Sequence, residues 1–234
     1  MAETLQLFEI RHWVALLAIF SINVAIVRFR LNRYRKLHFF FRYGLVVLLV
    51  ASEVAWHSWK LSLGQWSLQT MLPLELCNIM TYISILALIT KNEKFYPLCY
   101  FFGINGGLAT LTTPLDASSF PNFIFVQTMT NHGALIATGV YLVAVEKYRP
   151  FFKDVLRSFL ALNIYGLVVF IVNVKIGSNY FFLIEKPEIP SLLDLLPSWP
   201  WYIFYGDAII FLLLLIFYFP FAIRQRFLQQ NRKT

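Results

Sequence analysis

The sequence predicts an all-α, polytopic membrane helix bundle: seven transmembrane helices in a single domain over residues 1–234, with the N-terminus outside and the C-terminus in the cytoplasm. Three observations predict it. Of the 234 residues, 59% are hydrophobic and 14% charged, and the mean hydropathy is +0.63, which is too apolar for a water-soluble domain of this size. Apolar runs long enough to cross a hydrocarbon core recur along the whole chain, leaving no room for a sizeable soluble domain. The basic residues fall on alternate connections, as the positive-inside bias requires.

The runs cover residues 13–28, 42–59, 71–90, 95–113, 121–145, 154–174 and 200–222. The first follows Glu3 and Glu9 and lacks the basic start and small-residue cleavage site of a signal peptide, so it is expected to be a retained helix. Lys91-Asn92-Glu93-Lys94 divides the third run from the fourth, the stretch from Pro114 to Pro121 divides the fourth from the fifth, and Lys147 to Lys153 the fifth from the sixth. One side of the predicted membrane carries Arg28, Arg30, Arg33, Arg35, Lys36, Arg42, Lys91, Lys94, Lys147, Arg149, Lys153, Arg157, Arg224, Arg226, Arg232 and Lys233. The other carries Arg11, Lys60, Lys175 and Lys186. This split of sixteen to four makes the first side cytoplasmic. The longest outer connection, from about 175 to 199, contains Tyr180, Phe181, Phe182, Pro187, Pro190 and Pro197, and runs into Trp199-Pro200-Trp201-Tyr202, aromatics expected to form an interfacial belt.

Several function classes fall away. The formal net charge of +8 belongs to short loops that set orientation, so nucleic acid is not an expected partner; membrane lipids are. Cys77 and Cys99 sit in different spans and are poor candidates for an exposed disulfide. No metal site of convincing spacing is present: His12 and His38 lie in flanking regions, and neither a metal nor a cofactor is expected. The sequence holds no phosphate-binding loop, dinucleotide fingerprint or Gly-x-Ser-x-Gly elbow. The oligomeric state is left open, and the expected location is the cell membrane, as a multi-pass protein.

Polar side chains inside spans are costly and usually face the bundle interior or a wet cavity. The second span carries Glu53 and His57, four apart and so on one face. The third carries Glu75, Cys77 and Asn78 just after Pro73; the fourth carries Asn105, Thr110, Thr112 and Thr113. The fifth has Gln127, Asn131 and His132, the last about ten residues in and so ~15 Å deep. The sixth has Asn163 and Asn173, the seventh Asp207. Most of these lie in the outer half or near the midplane, with Asn23 of the first span an exception, which predicts a polar pocket open to the outer side.

Thiol, imidazole and carboxylate are the groups that together activate a covalent nucleophile. Cys77 has Glu75 and Asn78 beside it at a helix N-terminal end, where the dipole favours negative charge, and His132 at similar depth on another helix. Against this stands the ordinary role of a helix-interior cysteine as a small packing residue, the role assigned to Cys99. His132 reads equally as an interhelical hydrogen-bonding histidine, and Glu53 with His57 as a local pair. Asn78, Asn105, Asn131 and Asn163 read as interhelical glue, Gly103, Gly106 and Gly107 as points of close helix approach, and Asp207 as a pocket member or a partner for an outer-loop cation.

Five short stretches carry a resemblance: Leu72-Pro73-Leu74-Glu75-Leu76-Cys77-Asn78, Asn105-Gly106-Gly107, Thr130-Asn131-His132-Gly133, Ser178-Asn179-Tyr180 and Trp199-Pro200-Trp201-Tyr202. With these the chain resembles bacterial YwaF-like integral membrane proteins, related to the eukaryotic transmembrane protein 164 acyltransferases. The resemblance implies an acyltransferase acting on membrane lipids through a cysteine thioester, with Cys77 matching the nucleophile, His132 the assisting histidine and Asn105 an asparagine of the same core. Where the eukaryotic pattern sets its cysteine between Pro and His, this chain has Leu76 and Asn78. On that reading Asn78, Asn105 or Asn131 would hydrogen-bond the oxyanion. The alternatives are a non-enzymatic transporter or receptor binding a small polar or lipidic ligand in the same outward-facing pocket, and an accessory subunit of a larger complex.

Overall fold

Helices follow the apolar runs in a computed structural model that describes residues 9–29, 35–113, 118–189 and 191–230. Glu3, Arg30, Arg33, Pro114, Pro190, Arg232 and Lys233 lie outside the described residues, as does the side chain of Arg35. In chain order the helices are α1 (Ile10–Arg28), α2 (Arg35–Ser62), α3 (Leu76–Thr90), α4 (Tyr96–Leu98), α5 (Ile104–Thr112), α6 (Phe123–Ala144), α7 (Phe152–Ile176) and α8 (Trp201–Gln230). A π-turn at Cys99–Gly103 joins α4 to α5, so these two make one interrupted helical stretch. No β-strand occurs among the described residues. Four helices, α1, α2, α7 and α8, are long and apolar enough to cross a membrane.

The helices group into two compact units, one of residues 1–67 and 75–148, the other of 68–74 and 149–234. In the first, α6 is the central element and packs against α1, α2, α3 and α5. Its sequence explains this. Gly133, Ala134, Ala137 and Gly139 let neighbouring backbones approach, and twelve residues of α6 are buried. A Cβ on Gly139 would lie 2.6 Å from Ile104 Cγ1 and 3.1 Å from the Cys99 carbonyl, and one on Gly133 would lie 3.1 Å from Ile19. From the facing side, Gly103 and Gly107, four residues apart, rest on the Leu135 and His132 carbonyls, the small-xxx-small packing by which helices associate in lipid. Leu111, Phe125, Met129 and Ile136 form a core cluster against Ala15, Leu16 and Ile19 of α1. Because α6 is sheltered by other helices, it tolerates Gln127, Asn131 and His132, which would be costly facing lipid.

The third run departs from expectation at its start: α3 begins at Leu76, not at 71, and has 15 residues, about 22 Å of helix. Pro73 biases Leu72 away from helical backbone, and residues 68–74 are committed to the second unit. There the Leu72 N–H donates to the Tyr180 hydroxyl at 2.7 Å, that hydroxyl donates to Leu68 O at 2.7 Å, and the Tyr165 hydroxyl donates to Leu74 O at 2.9 Å. Tyrosines thus satisfy backbone groups that a helix would have paired internally, which is how irregular backbone survives in an apolar setting.

In the second unit α7 starts where the Asp154 carboxylate accepts the Phe151 N–H at 2.9 Å, and ends at Gly177, whose φ of +65° suits a residue without Cβ. Asn173, buried, clamps the following turn: its amide donates to Tyr180 O at 2.8 Å, and its oxygen accepts from Tyr180 N and Ser178 Oγ. The expected aromatic belt divides. Trp199 and Trp201 are exposed, whereas Tyr180 and Tyr202 are buried, Tyr202 donating to Phe182 O. Phenol hydroxyls that find backbone acceptors bury more favourably than those left at a surface.

Candidate functional site

Cys77 occupies the second position of α3 and is half-buried. Its sulfur lies against α5: a Cβ on Gly106 would meet Cys77 Sγ at 3.1 Å, and one turn further the Thr110 hydroxyl lies 3.9 Å from the sulfur. The next residue, Gly107, touches the other half of the site, since its Cβ would lie 3.0 Å from the His132 carbonyl on α6. Adjacent glycines of α5 therefore carry the turn with the thiol and the turn with the imidazole. Absence of side chains at 106 and 107 is what lets three helices meet here.

His132 has a defined tautomer. Nδ1 lies 2.9 Å from Thr128 O, and because a carbonyl only accepts, Nδ1 carries the proton and Nε2 keeps its lone pair in the neutral ring. A histidine so arranged presents Nε2 as a base. Asn131 links the same two helices: its amide donates to Thr81 Oγ1 at 3.2 Å, and the Thr81 hydroxyl lies 3.1 Å from Cys77 O. Thr81 and Asn131 are both buried. The bridge from the Cys77 carbonyl through Thr81 to Asn131 ties the register of α3 to that of α6.

A model of the TMEM164 family matches residues 7–218, nearly the whole chain. The chain belongs to the TMEM164 family. No curated protein and no solved structure matches it. Family membership and four apolar helices make it a membrane protein, and the Cys77 and His132 turns of this TMEM164-family chain are brought together within its first unit.

The other expected site residues have hydrogen bonds and neighbours of their own. The Asn105 amide donates to Phe101 O at 2.6 Å, a carbonyl of the π-turn that also accepts the Ile104 N–H. Asn78 and Glu75 flank Cys77 and are half-buried, Glu75 as the residue capping α3 with extended backbone. Glu53 and His57 form a separate group: Glu53 Oε1 lies 3.6 Å from His57 Nε2, Tyr82 hydrogen-bonds the carboxylate, and Trp66 Nε1 donates to His57 Nδ1 at 3.1 Å. An indole N–H is only a donor, so His57 Nδ1 is unprotonated and the Nε2 proton faces Glu53. Asp207 belongs to the second unit, where its Oδ1 accepts from Asn163 Nδ2 at 3.2 Å. Cys99 is buried against the Ser84 hydroxyl, a packing position.

One polar cluster lies where the sequence reading placed only flanking charge. His38 Nε2 is 2.6 Å from the Tyr141 hydroxyl and 3.1 Å from Glu146 Oε1, and Tyr141 donates to the same carboxylate at 2.8 Å. Arg42, buried, donates to the Leu88 and Ile89 carbonyls at the end of α3, neutralising the negative end of that helix. The signal was present: Arg42 stands at the first residue of the second run. Positive-inside reasoning treats such a residue as topological and does not ask what it bonds.

Proposed function

We propose that this TMEM164-family protein is a membrane-embedded acyltransferase that moves an acyl chain between lipids through a thioester on Cys77. The observation that carries the reading is the meeting of the Cys77 sulfur and the His132 turn on the adjacent glycines Gly106 and Gly107, with the His132 ring held so that Nε2 is the basic nitrogen. In the first half-reaction Nε2 takes the thiol proton as sulfur attacks the acyl carbon of a lipid ester. The ester C–O bond breaks, the departing oxygen takes that proton from His132, and the acyl group stays on sulfur. An acceptor hydroxyl then gives its proton to His132, attacks the thioester carbon and releases the thiol as the C–S bond breaks and the proton returns. The N-terminus of α3 favours charge developing on sulfur. With the Asn105 and Asn131 amides engaged elsewhere, Asn78 is the preferred oxyanion donor.

The same reading holds that all seven helical stretches cross the cell membrane, with the N-terminus outside and the C-terminus cytoplasmic, and that the chain is of the YwaF-like branch on its short matching motifs. The decisive functional test is transfer of a labelled acyl chain between lipids in vesicles containing the purified protein. Replacing Cys77 with Ala should abolish transfer, and replacing His132 with Ala should slow it by roughly 100-fold or more, the usual worth of a general base. Full transfer by a folded Cys77→Ala protein would leave the binding-protein alternative in its place.

A further inference from the structure

We propose that the second unit holds a separate binding site for a single-chain hydrophobic amine, with Asp207 as the counter-charge. The site shares no residue with the Cys77 region and does not rest on the acyl-transfer reading. Its core is a cavity of about 490 Å³ between α7, α8 and the outer segment, walled largely by rings and aliphatic chains, among them Phe170, Phe181, Phe182, Tyr202 and Ile210. That volume lies within the ~300–1,000 Å³ range of small-molecule sites. Among the described residues, Asp207 is the one charged residue lining it.

The hydrogen bonds around Asp207 define the chemistry its carboxylate offers. Its donor Asn163 Nδ2 is an uncharged amide, and that same nitrogen also serves Phe159 O at 3.0 Å, so both amide hydrogens of Asn163 are engaged. A carboxylate accepts from several donors. Lys186, whose Nζ stands 5.7 Å over the Tyr202 ring, is directed to Leu196 O at 2.8 Å. An ionisable side chain set in an apolar span marks a functional site by default. An alkyl ammonium supplies the complementary charge, donors for the carboxylate, a chain for the apolar walls and a cation for the aromatic faces. The outer wall is also strained: Phe181 and Phe182 have φ of +60° and +50°, a backbone region that bulky residues rarely adopt and that clusters at ligand clamps.

Gly166 and Gly206 line the cavity, and a Cβ at either meets no atom within 4 Å, so a side chain added at the cavity wall there is sterically admitted at its first carbon. The test uses the whole protein in lipid nanodiscs and two photoprobes, hexadecylamine and hexadecanol, each with a mid-chain diazirine. Adducts are mapped by mass spectrometry and titrated at neutral pH. The amine is expected to label the lining segments of α7 and α8 at a concentration about tenfold or more below the alcohol, the ratio of one charge-assisted hydrogen bond. Asp207→Asn should remove that preference, and Gly166→Leu should suppress labelling by both probes. Equal labelling by amine and alcohol in the unaltered protein, amine labelling that persists in Gly166→Leu, or no labelling of these segments would each overturn the proposal. The first and third do not depend on any variant folding.

Discussion

At the scale of single residues, the candidate site is built on a polar bridge as well as on Cys77 and His132. Thr81 links the Cys77 carbonyl to Asn131, and both Thr81 and Asn131 are buried. Replacing Thr81 with Val keeps the shape but strands the Asn131 amide, which should cost about 1–2 kcal/mol, seen as a lowered melting temperature in detergent. Thr81→Ser restores the hydroxyl and should recover most of the loss; equal behaviour of the two variants would contradict the bridge. Cys77, His132 and Asn131 stand out in the sequence because thiols, imidazoles and amides in apolar runs need a reason to be there. Thr81 and Thr110 do not, since a threonine in a helix commonly bonds its own backbone and raises no such question. His38, Arg42 and Glu146 escaped for another reason: charge near a span's end has a sufficient explanation in topology, so the Tyr141 hydroxyl that joins His38 to Glu146 had nothing to announce it.

At the scale of elements, glycines separate into those that hold helices together and those that face open space. Gly139 sits on Ile104 and the Cys99 carbonyl, and Gly139→Ala should destabilise the first unit by about 1–3 kcal/mol, the cost of overpacking. Gly166→Ala, with nothing near its Cβ, should be neutral or stabilise by up to about 1 kcal/mol through helix propensity. Comparison of their melting temperatures checks both, and equal effects would refute the packing assignment. The existence of each helix was plain from apolar run length, and Gly103, Gly106 and Gly107 were flagged as approach points. The late start of α3 was not anticipated: Pro73 signals a break only weakly, while the tyrosines that hold residues 68–74, Tyr165 and Tyr180, lie about 100 residues away in sequence. Long-range pairing of that kind leaves no local periodicity to read.

At the scale of the whole molecule, the proposed topology rests on composition and charge alternation. Single cysteines placed at Lys94 and at Glu188, with Cys77 and Cys99 replaced by Ala, should separate the two sides: a membrane-impermeant maleimide should label Glu188→Cys on intact cells and Lys94→Cys only after lysis. The reverse pattern would invert the orientation. Of the polar residues in the spans, Cys77, His132, Glu53 and His57 belong to one unit and Asn163 and Asp207 to the other, a division that depth along a helix does not show. A thioester on Cys77 is the central step of the proposed reaction. The most direct measurement is exposure of the purified protein in mixed lipids to an activated acyl probe, followed by mass spectrometry of the peptide containing Cys77 in the unaltered chain and in His132→Ala. An acyl adduct on Cys77, strongly reduced without His132, is the predicted result. A Cys77 that a small thiol reagent reaches but the acyl probe leaves unmodified would contradict it.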